Sequence, residues 1–253
     1  MLKLYHAEPL ANSLKSLLAL KEKGLEFESV YVDLHKFEQH EPWFVAMNPE
    51  GQVPVLDHDG TLITHTSVIG EYLEDAFPQA PPLRPADAMG KARMRYWNKF
   101  IDEHLMNYVS MHGWHRMVRI IARSIEGGEF ERLMARVPLH EQREKWRTAR
   151  SGFAEADLAN ATRKIEVAVD KADKQLGETR WLAGDTYTLA DINFFATGGI
   201  ALQRMFPDMK VEQRAPRLME WVERMRARPG VQAALAMPDR TNPALRTFSG
   251  EAR

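Results

Sequence analysis

The sequence contains no cysteine among its 253 residues. This absence excludes disulfide bonds, thiolate metal sites and any thiol nucleophile that belongs to the protein itself. If the protein carries out sulfur chemistry, the substrate must therefore bring the sulfur.

An excess of one charge and long apolar runs are also missing. The formal net charge is -1, which gives no indication of a nucleic-acid or membrane partner. No stretch approaches the roughly 18 uninterrupted apolar residues that a membrane helix needs, and Met1 leads directly into Leu2-Lys3-Leu4 without the pattern of a secretory signal. With 44% hydrophobic and 27% charged residues, the composition is that of an ordinary globular protein, which we expect to be cytoplasmic.

Residues 1–78 alternate between strand and helix patterns. A strand at Leu2–His6, an amphipathic helix that Gly24 ends, and a strand at Phe27–Val32 form a βαβ unit. The pattern then predicts a helix, a hairpin of two short strands and a last helix, at Phe37–Met47, Val53–Leu56, Leu62-Ile63 and Thr66–Phe77. The order βαβαββα is that of a thioredoxin-like α/β domain.

The rest of the chain predicts an all-helical domain at residues 88–253, behind a proline-rich linker at 79–87. Residues 78–85 hold four of the chain's 14 prolines. Thr188 with Asp191 three residues later resembles a capping box, which predicts the start of a buried helix, whereas Gly127-Gly128 predicts a break between helices. We expect the polar tail after Pro238 to be partly mobile. The periodic patterns predict helices at Met89–Ile125, Gln142–Leu176, Leu189–Met205 and Ala215–Arg226.

Four short motifs are spread over both predicted domains. They are Ala11-Asn12-Ser13, Gly51-Gln52-Val53-Pro54, Ser67-Val68-Ile69 with Glu71-Tyr72-Leu73, and Thr188-Leu189-Ala190-Asp191. Together they resemble the glutathione S-transferase superfamily. The stretches Gly24–Glu28, Lys36–His40, Leu83–Asp87, Lys145–Arg147 and Ala149–Phe153 more narrowly resemble the bacterial β-etherases, which cleave lignin-derived β-aryl ethers with glutathione.

The resemblance implies that the Ser13 hydroxyl hydrogen-bonds the glutathione sulfur, with Asn12 as an alternative donor. A free thiol with a pKa of about 8.5 is only a few per cent ionised at pH 7. A hydroxyl donor and the positive end of the first helix would both favour the thiolate. The alternative from the residues alone is that Asn12 or Ser13 only caps the helix.

The resemblance also implies a cis Val53–Pro54 peptide bond, which lets the Val53 backbone pair with the cysteinyl unit of glutathione. The alternative is an ordinary edge-strand proline. Gln52 and Gln39 resemble groups that bind the glycine end and the carboxylates of glutathione, although Gln39 on its own fits a solvated surface residue.

The sequence departs from the family pattern at His65-Thr66, where most members carry an acidic residue and a serine. Thr66 can still offer a hydroxyl and a helix-terminal amide to a carboxylate, but His65 cannot supply the negative charge that faces the glutathione ammonium. This loss could weaken glutathione binding about 10- to 150-fold. Glu71 or Ser67 could substitute.

The helix around residues 104–115 has a mixed aromatic, sulfur and imidazole character. In the family the corresponding helix borders the electrophile pocket, and the ring of Trp114 or Tyr108 would suit a phenolic two-ring substrate. Packing in the core or in an interface is the alternative for each residue. The histidines lack the HExxH spacing of a metal site, so we predict no metal. The candidate substrate-binding residues are Tyr108, Met111, His112, Trp114 and His115.

The resemblance therefore implies a glutathione-dependent β-etherase, in which the thiolate displaces a phenolate and leaves a glutathione thioether. Glutathione is the co-substrate, and the partners are a small aromatic ether and a second subunit, either identical or related. A weakly catalytic or non-catalytic subunit of a heterodimer, favoured by His65, is one alternative. A general glutathione transferase or peroxidase is another.

Overall fold

The computed structural model describes residues 1–7 and 11–238. The polar tail, for which partial mobility was predicted, lies outside these residues. The strands are β1 (Leu2–His6), β2 (Phe27–Tyr31), β3 (Val55–His58) and β4 (Thr61–Thr64). The helices of the N-terminal part are α1 (Ala11–Glu22), α2 (Pro42–Val45) and α3 (Thr66–Ala76). The later helices are α4 (Ala88–Phe100), α5 (Met106–Gly113), α6 (Arg119–Ser124), α7 (Gly127–Arg136), α8 (His140–Ser151), α9 (Glu155–Leu176), α10 (Leu189–Thr197), α11 (Leu202–Met205), α12 (Val211–Arg214), α13 (Pro216–Arg226) and α14 (Pro229–Leu235).

The four strands form one sheet in the order β2-β1-β3-β4. β1 pairs in parallel with β2 and antiparallel with β3, and β3 pairs antiparallel with β4. Alternate residues of β1 are buried, because successive side chains of a strand point to opposite faces of the sheet. The predicted combination of a thioredoxin-like α/β part and an all-helical part is confirmed.

The predicted helix at Phe37–Met47 is wrong. Two single 3₁₀ turns, Leu34–Lys36 and Glu38–His40, precede the four-residue α2. Phe37 between the two turns has a φ of 59°, which no right-handed helix can contain. Pro42 then adds a second break, because a proline disfavours helical geometry in the residue before it.

Beyond residue 87 the described chain is helical, with breaks that the sequence patterns did not predict. α4, α5 and α6 follow one another through two π-helical turns, Ile101–Leu105 and Trp114–Val118, close to the predicted span. The predicted helix at Gln142–Leu176 is interrupted at Gly152, whose φ of 113° ends α8. A break between helices does occur here, at Ile125-Glu126 between α6 and α7, but Gly127-Gly128 begin α7 instead of lying in the break.

The helix at Leu189–Met205 is likewise interrupted, at Gly198-Gly199. A Cβ at Gly199 would lie 3.2 Å from the Trp221 ring, a tight contact, so the close packing of α13 favours glycine there. No helix among residues 1–7 and 11–238 is long and apolar enough to cross a bilayer.

α1 lies between the sheet and the helical part. Every residue from Ser13 to Leu20 is buried, because α1 packs against α3 on one side and against α10 and α14 on the other. A buried ion pair, Lys23 Nζ to Glu74 Oε1 at 2.8 Å, supports this contact, and Glu74 also accepts the Leu83 N–H of the connecting segment at 3.0 Å. The start of α1 is therefore held where the two parts meet.

The predicted capping box at the start of α10 is confirmed. The Thr188 N–H donates to Asp191 Oδ2 at 3.0 Å, and the Thr188 hydroxyl accepts from the Ala190 N–H at 3.2 Å. The other Asp191 oxygen accepts from the Leu182 N–H and from Trp221 Nε1, each at 3.0 Å. Burial raises the pKa of Asp191 to about 6, against the opposing effect of these donors.

Candidate functional site

Ser13 lies in the first turn of α1 and is only 3% exposed. Its Oγ accepts a hydrogen bond from the Ala7 N–H at 3.1 Å, which ties the helix to the end of β1. A hydroxyl that accepts one bond keeps its own hydrogen for another acceptor. Asn12 beside it is half-buried. The hydroxyl and the amide end of α1 can thus act on the same anion.

The segment Gly51-Gln52-Val53-Pro54 leads into β3, and its Val53–Pro54 peptide bond is cis, as predicted. The Gln52 carbonyl accepts from Asn48 Nδ2 at 2.7 Å. Gly51 has a φ of 62°, and a Cβ on it would lie 2.5 Å from His40 Nδ1. A side chain at position 51 would clash with the His40 ring, so glycine is required for the segment to pack against Gln39 and His40.

Gln39 and His40 are both buried, which contradicts a solvated position for Gln39. Gln39 Nε2 lies 3.3 Å from His40 Nε2. Gln39 Oε1 and His40 Nδ1 are buried and have no hydrogen-bond partner among the described residues. Burial, reinforced by the charge of Arg136, lowers the pKa of His40 to about 4, so the ring is neutral at pH 7. No sequence pattern indicated the burial of His40.

His65 and Thr66 stand at the start of α3. His65 is exposed, with a φ of 63°, and Thr66 is the half-buried first residue of the helix. His65 Nε2 lies 3.5 Å from Glu50 Oε1. A carboxylate is thus present beside this helix start although position 65 lacks one, and no sequence motif pointed to Glu50.

The two substitutes considered from the sequence differ. The Glu71 carboxylate is 2.7 Å from Arg84 Nη1 and 2.9 Å from Arg95 Nε, so two arginines already occupy it. Ser67 is exposed and follows Thr66 directly. Of the two, only Ser67 is exposed to a ligand at the start of α3, because the Glu71 carboxylate is already paired with arginines.

The candidate substrate-binding residues are divided between different faces of the helix. His112 is buried, with Nε2 3.1 Å from the Thr162 hydroxyl of α9 and its ring edge-on to Phe206. Tyr108 packs against the main core and Met111 is half-buried. The structure therefore places His112 inside the helical part, away from the residues of the sheet.

His115 and Trp114 have separate surroundings. The His115 ring contacts Phe153, and its buried Nδ1 has no hydrogen-bond partner within the described part of the chain. Trp114 meets Trp146 of α8 edge-to-face, with ring centroids 5.2 Å apart. His112, His115 and Trp114 thus each pack against a different aromatic residue.

Three aromatic rings join the helical part to the segment that carries Gln39. Trp114 contacts Trp146, and Trp146 packs on Phe37 with ring centroids 4.8 Å apart. We call Phe37, Trp114 and Trp146 the aromatic wall. An ion pair of 2.5 Å between Arg136 and Glu41 lies on the same boundary. The aromatic wall therefore connects the Gln39–His40 pair with the helix that carries Trp114.

The part of the chain that the structure describes has no group of three or more histidine, aspartate or glutamate side chains arranged to hold a metal ion. The described polar groups are hydroxyl, amide and helix-terminal N–H donors, together with the Glu50 carboxylate. This set of groups suits a zwitterionic peptide ligand with carboxylate ends.

Comparisons with known proteins agree with this geometry. Two family models match the chain, the glutathione S-transferase N-terminal domain at residues 1–75 and the C-terminal domain at residues 130–229. Protein LigF from Sphingobium sp. (strain NBRC 103272 / SYK-6) is 45% identical over 236 residues, which cover 91% of each chain. Glutathione S-transferase U19 from Arabidopsis thaliana is 25% identical over 90% of this chain and 86% of its own. The crystal structure of the β-etherase LigF from Sphingobium sp. strain SYK-6 superposes with a TM-score of 0.89, covering 92% of this chain and 98% of that one.

Proposed function

This chain belongs to the glutathione S-transferase family, and we propose that it uses glutathione to cleave the β-aryl ether bonds of lignin-derived aromatic compounds. The observation that carries the proposal is its 45% identity with the β-etherase LigF along almost the whole of both chains. We further propose that it acts in the cytoplasm as a homodimer or as a heterodimer with a related subunit. Residues 1–78 would bind glutathione, and the helices beyond the linker at 79–87 would contribute the electrophile pocket.

The glutathione site is proposed on the groups that converge at the start of α1 and β3. The Ser13 hydroxyl and the amide end of α1 hold the thiolate, with Asn12 beside them. The Val53 backbone pairs with the cysteinyl unit, and Gln52 and Gln39 bind the glycine end and its carboxylate. The buried, unpartnered Gln39 Oε1 supports a contact with the glycine end, because this acceptor is costly to bury unless a ligand N–H, such as the glycine amide, donates to it.

The γ-glutamyl end is proposed to lie at the start of α3. The Thr66 hydroxyl and amide bind its carboxylate, and the Glu50 carboxylate faces its ammonium in place of an acidic residue at position 65. The 3.5 Å approach of Glu50 to His65 supports this role. The negative charge opposite the ammonium is then kept, although residue 50 supplies it instead of residue 65.

In the proposed reaction, the thiolate attacks the carbon that bears the aryloxy group, in line with the bond that breaks. A sulfur–carbon bond forms, the carbon–oxygen electron pair leaves with the aryloxy oxygen, and the products are a glutathione thioether and a phenolate, which is then protonated to the phenol. Positioning of the two reactants and stabilisation of the thiolate are the main contributions, and no metal takes part. The aromatic wall, with Tyr108, Met111 and His115, borders the proposed electrophile pocket, whereas His112 supports the helix from behind.

One observation favours a second candidate function, a weakly catalytic or non-catalytic subunit of a heterodimer. His65, the residue directly before α3, is exposed and stands at the position where an acidic residue is usual. If Glu50 does not reach the ammonium, glutathione binding is weak and a related subunit must supply it.

Glutathione binding to the purified chain, measured by calorimetry, is the first test, followed by an aryl ether cleavage assay. We expect a Kd of about 1 mM or lower, and release of a phenol from an α-keto β-aryl ether. Ser13→Ala should lower kcat/KM about 10- to 150-fold, because a charge-assisted hydrogen bond to the thiolate is lost. Ser16→Ala is the matched control, because the buried Ser16 hydroxyl has no partner among the described residues. Absence of binding by the chain alone would contradict the proposal and favour the subunit function.

A further inference from the structure

Lys145 of α8 carries a half-buried ammonium group that has no carboxylate partner in the part of the chain that the structure describes. Its Nζ donates to Ser110 Oγ at 2.8 Å and lies 4.7 Å from the centre of the Trp114 ring. Lys15 and Lys23, which are buried, instead pair with Asp102 at 3.1 Å and with Glu74 at 2.8 Å. Among residues 1–7 and 11–238, no carboxylate lies within ion-pair distance of Lys145, and burial alone lowers its pKa to about 8.

Burying a cation without a counter-ion destabilises the folded protein, so a lysine that served only to join two helices would be an expensive choice. An ammonium has three N–H donors, and Ser110 accepts one of them. The contact with the Trp114 ring fixes the group in place by a cation–π interaction. Lys145 therefore presents a preorganised positive charge with hydrogens left for an anionic acceptor.

The position of Lys145 relates it to the proposed reaction. It directly precedes Trp146, which packs on Phe37, two residues before Gln39. Its ammonium stands over Trp114, the next ring of the aromatic wall. Lys145 thus lies on the boundary between the glutathione-side segment and the helix that borders the proposed electrophile pocket.

We propose that the Lys145 ammonium binds the aryloxy oxygen of the substrate and stabilises the phenolate as the carbon–oxygen bond breaks. The inference rests on the proposed function. As the thiolate pair forms the sulfur–carbon bond, the electron pair of the carbon–oxygen bond moves to the aryloxy oxygen, where Lys145 donates a hydrogen bond. Lys145 then gives its proton to the phenolate and regains one from water.

The direction of that proton transfer is favourable. A phenol has a pKa of about 10, whereas that of Lys145 is about 8, so the leaving oxygen is the stronger base. Negative charge passes from sulfur to oxygen during the reaction, and a fixed donor at the receiving oxygen acts only where the charge develops. The negative charge that develops on the aryloxy oxygen in the transition state therefore acts as the counter-ion that Lys145 lacks.

The test is the dependence of kcat/KM on the leaving phenol, measured from a nitrophenol ether to an alkoxyphenol ether with the wild type, Lys145→Met and Lys145→Arg. Lys145→Met should lose about 100-fold on the alkoxyphenol ether and little on the nitrophenol ether, because a poor leaving group depends most on the donor. Lys145→Arg should restore part of the loss. Lys171→Met is the matched control, because Lys171 also stands over aromatic rings, those of Tyr96, Trp97 and Phe100, and bonds a hydroxyl, that of Tyr96.

The outcomes separate this inference from the proposed function. An equal loss on every ether, or no loss, overturns the role of Lys145 while cleavage by the wild type still supports the function. A wild type that cleaves no aryl ether overturns both. If Lys145→Met does not fold, Lys145→Gln replaces it, and a second readout is the absorbance of bound nitrophenol. The wild type should lower the pKa of the bound nitrophenol, and loss of Lys145 should abolish that shift; an unchanged shift counts against the inference.

Discussion

Two buried polar clusters in this chain differ in how completely their hydrogen bonds are made. Around Asp191, both carboxylate oxygens accept from backbone, hydroxyl or indole donors. In the Gln39–His40 pair, Gln39 Oε1 and His40 Nδ1 have no partner among the described residues, although both side chains are as buried as a core residue. The first cluster is complete by itself, and the second is not.

The difference separates a structural role from a binding role. A buried polar group without a partner costs free energy, so such a group beside a proposed binding segment is a candidate for a contact with the ligand. The Asp191 cluster lies inside the helical part and joins α10 to α13, which suits a role in stability. The Gln39–His40 pair lies against the Gly51–Pro54 segment, which suits a role in ligand binding. Substitutions in the two clusters should therefore affect different measurements.

The largest effect is expected for Asp191→Ala. The substitution removes the acceptor of the Leu182 N–H, the Thr188 N–H and Trp221 Nε1, all of them buried. We expect the free energy of unfolding to fall by about 3–5 kcal/mol, measured by urea denaturation. Asp185→Ala is the control, because it replaces an exposed aspartate in the loop before α10. A loss of less than about 1 kcal/mol would mean that the completed cluster does not hold the fold.

A smaller effect on stability is expected from the protonation of His40. The pKa of His40 is about 4 in the folded protein and about 6.5 in the unfolded chain, so the unfolded chain binds more protons between these values. The stability that the neutral His40 contributes is fully present above about pH 6.5 and is lost as the pH falls towards 4, by about 3 kcal/mol.

The measurement is urea denaturation of the wild type and of His40→Gln between pH 7 and 4. The variant should lose this part of the pH dependence, because glutamine does not titrate. His104→Gln, which replaces an exposed histidine, should keep the wild-type pH dependence. Equal pH dependence in the wild type and in His40→Gln would show that His40 does not contribute to the pH dependence of the free energy of unfolding.

The sequence predicted those parts of the fold that depend on local patterns. β1, α1, β2, the hairpin and α3 follow from alternation and helical spacing, and the Thr188–Asp191 capping box needs only two side chains three residues apart. The helix predicted at Phe37–Met47 failed because its apolar residues pack in two different directions. Phe37 packs on Trp146 of α8, whereas Phe44 packs with Val32 and Val55 under the sheet. A contact between distant segments overrode the local pattern.

The site was predictable only where a motif lies within one short segment. The cis Val53–Pro54 bond was predicted in this way. Ser13 lies in the first turn of α1, as the Ala11-Asn12-Ser13 motif predicted. His112, Trp114 and Lys145 depend instead on which way each side chain leaves its helix and on which helix faces it. Because α8 was predicted as part of one long helix with α9, the sequence could not place Lys145 over Trp114.

Gln39→Leu tests directly whether the Gln39–His40 pair serves ligand binding and not stability. Its expected effect is the smallest of those described. Leucine removes the buried Oε1 that has no partner, so the free energy of unfolding should stay the same or rise slightly. Glutathione should bind about tenfold more weakly in calorimetry, because about one hydrogen bond to the ligand is lost. Gln142→Leu is the control, since Gln142 Oε1 is likewise buried without a partner in the described chain, but on α8. A Gln39→Leu protein that is less stable yet binds glutathione normally would place Gln39 with Asp191, as a residue that holds the fold.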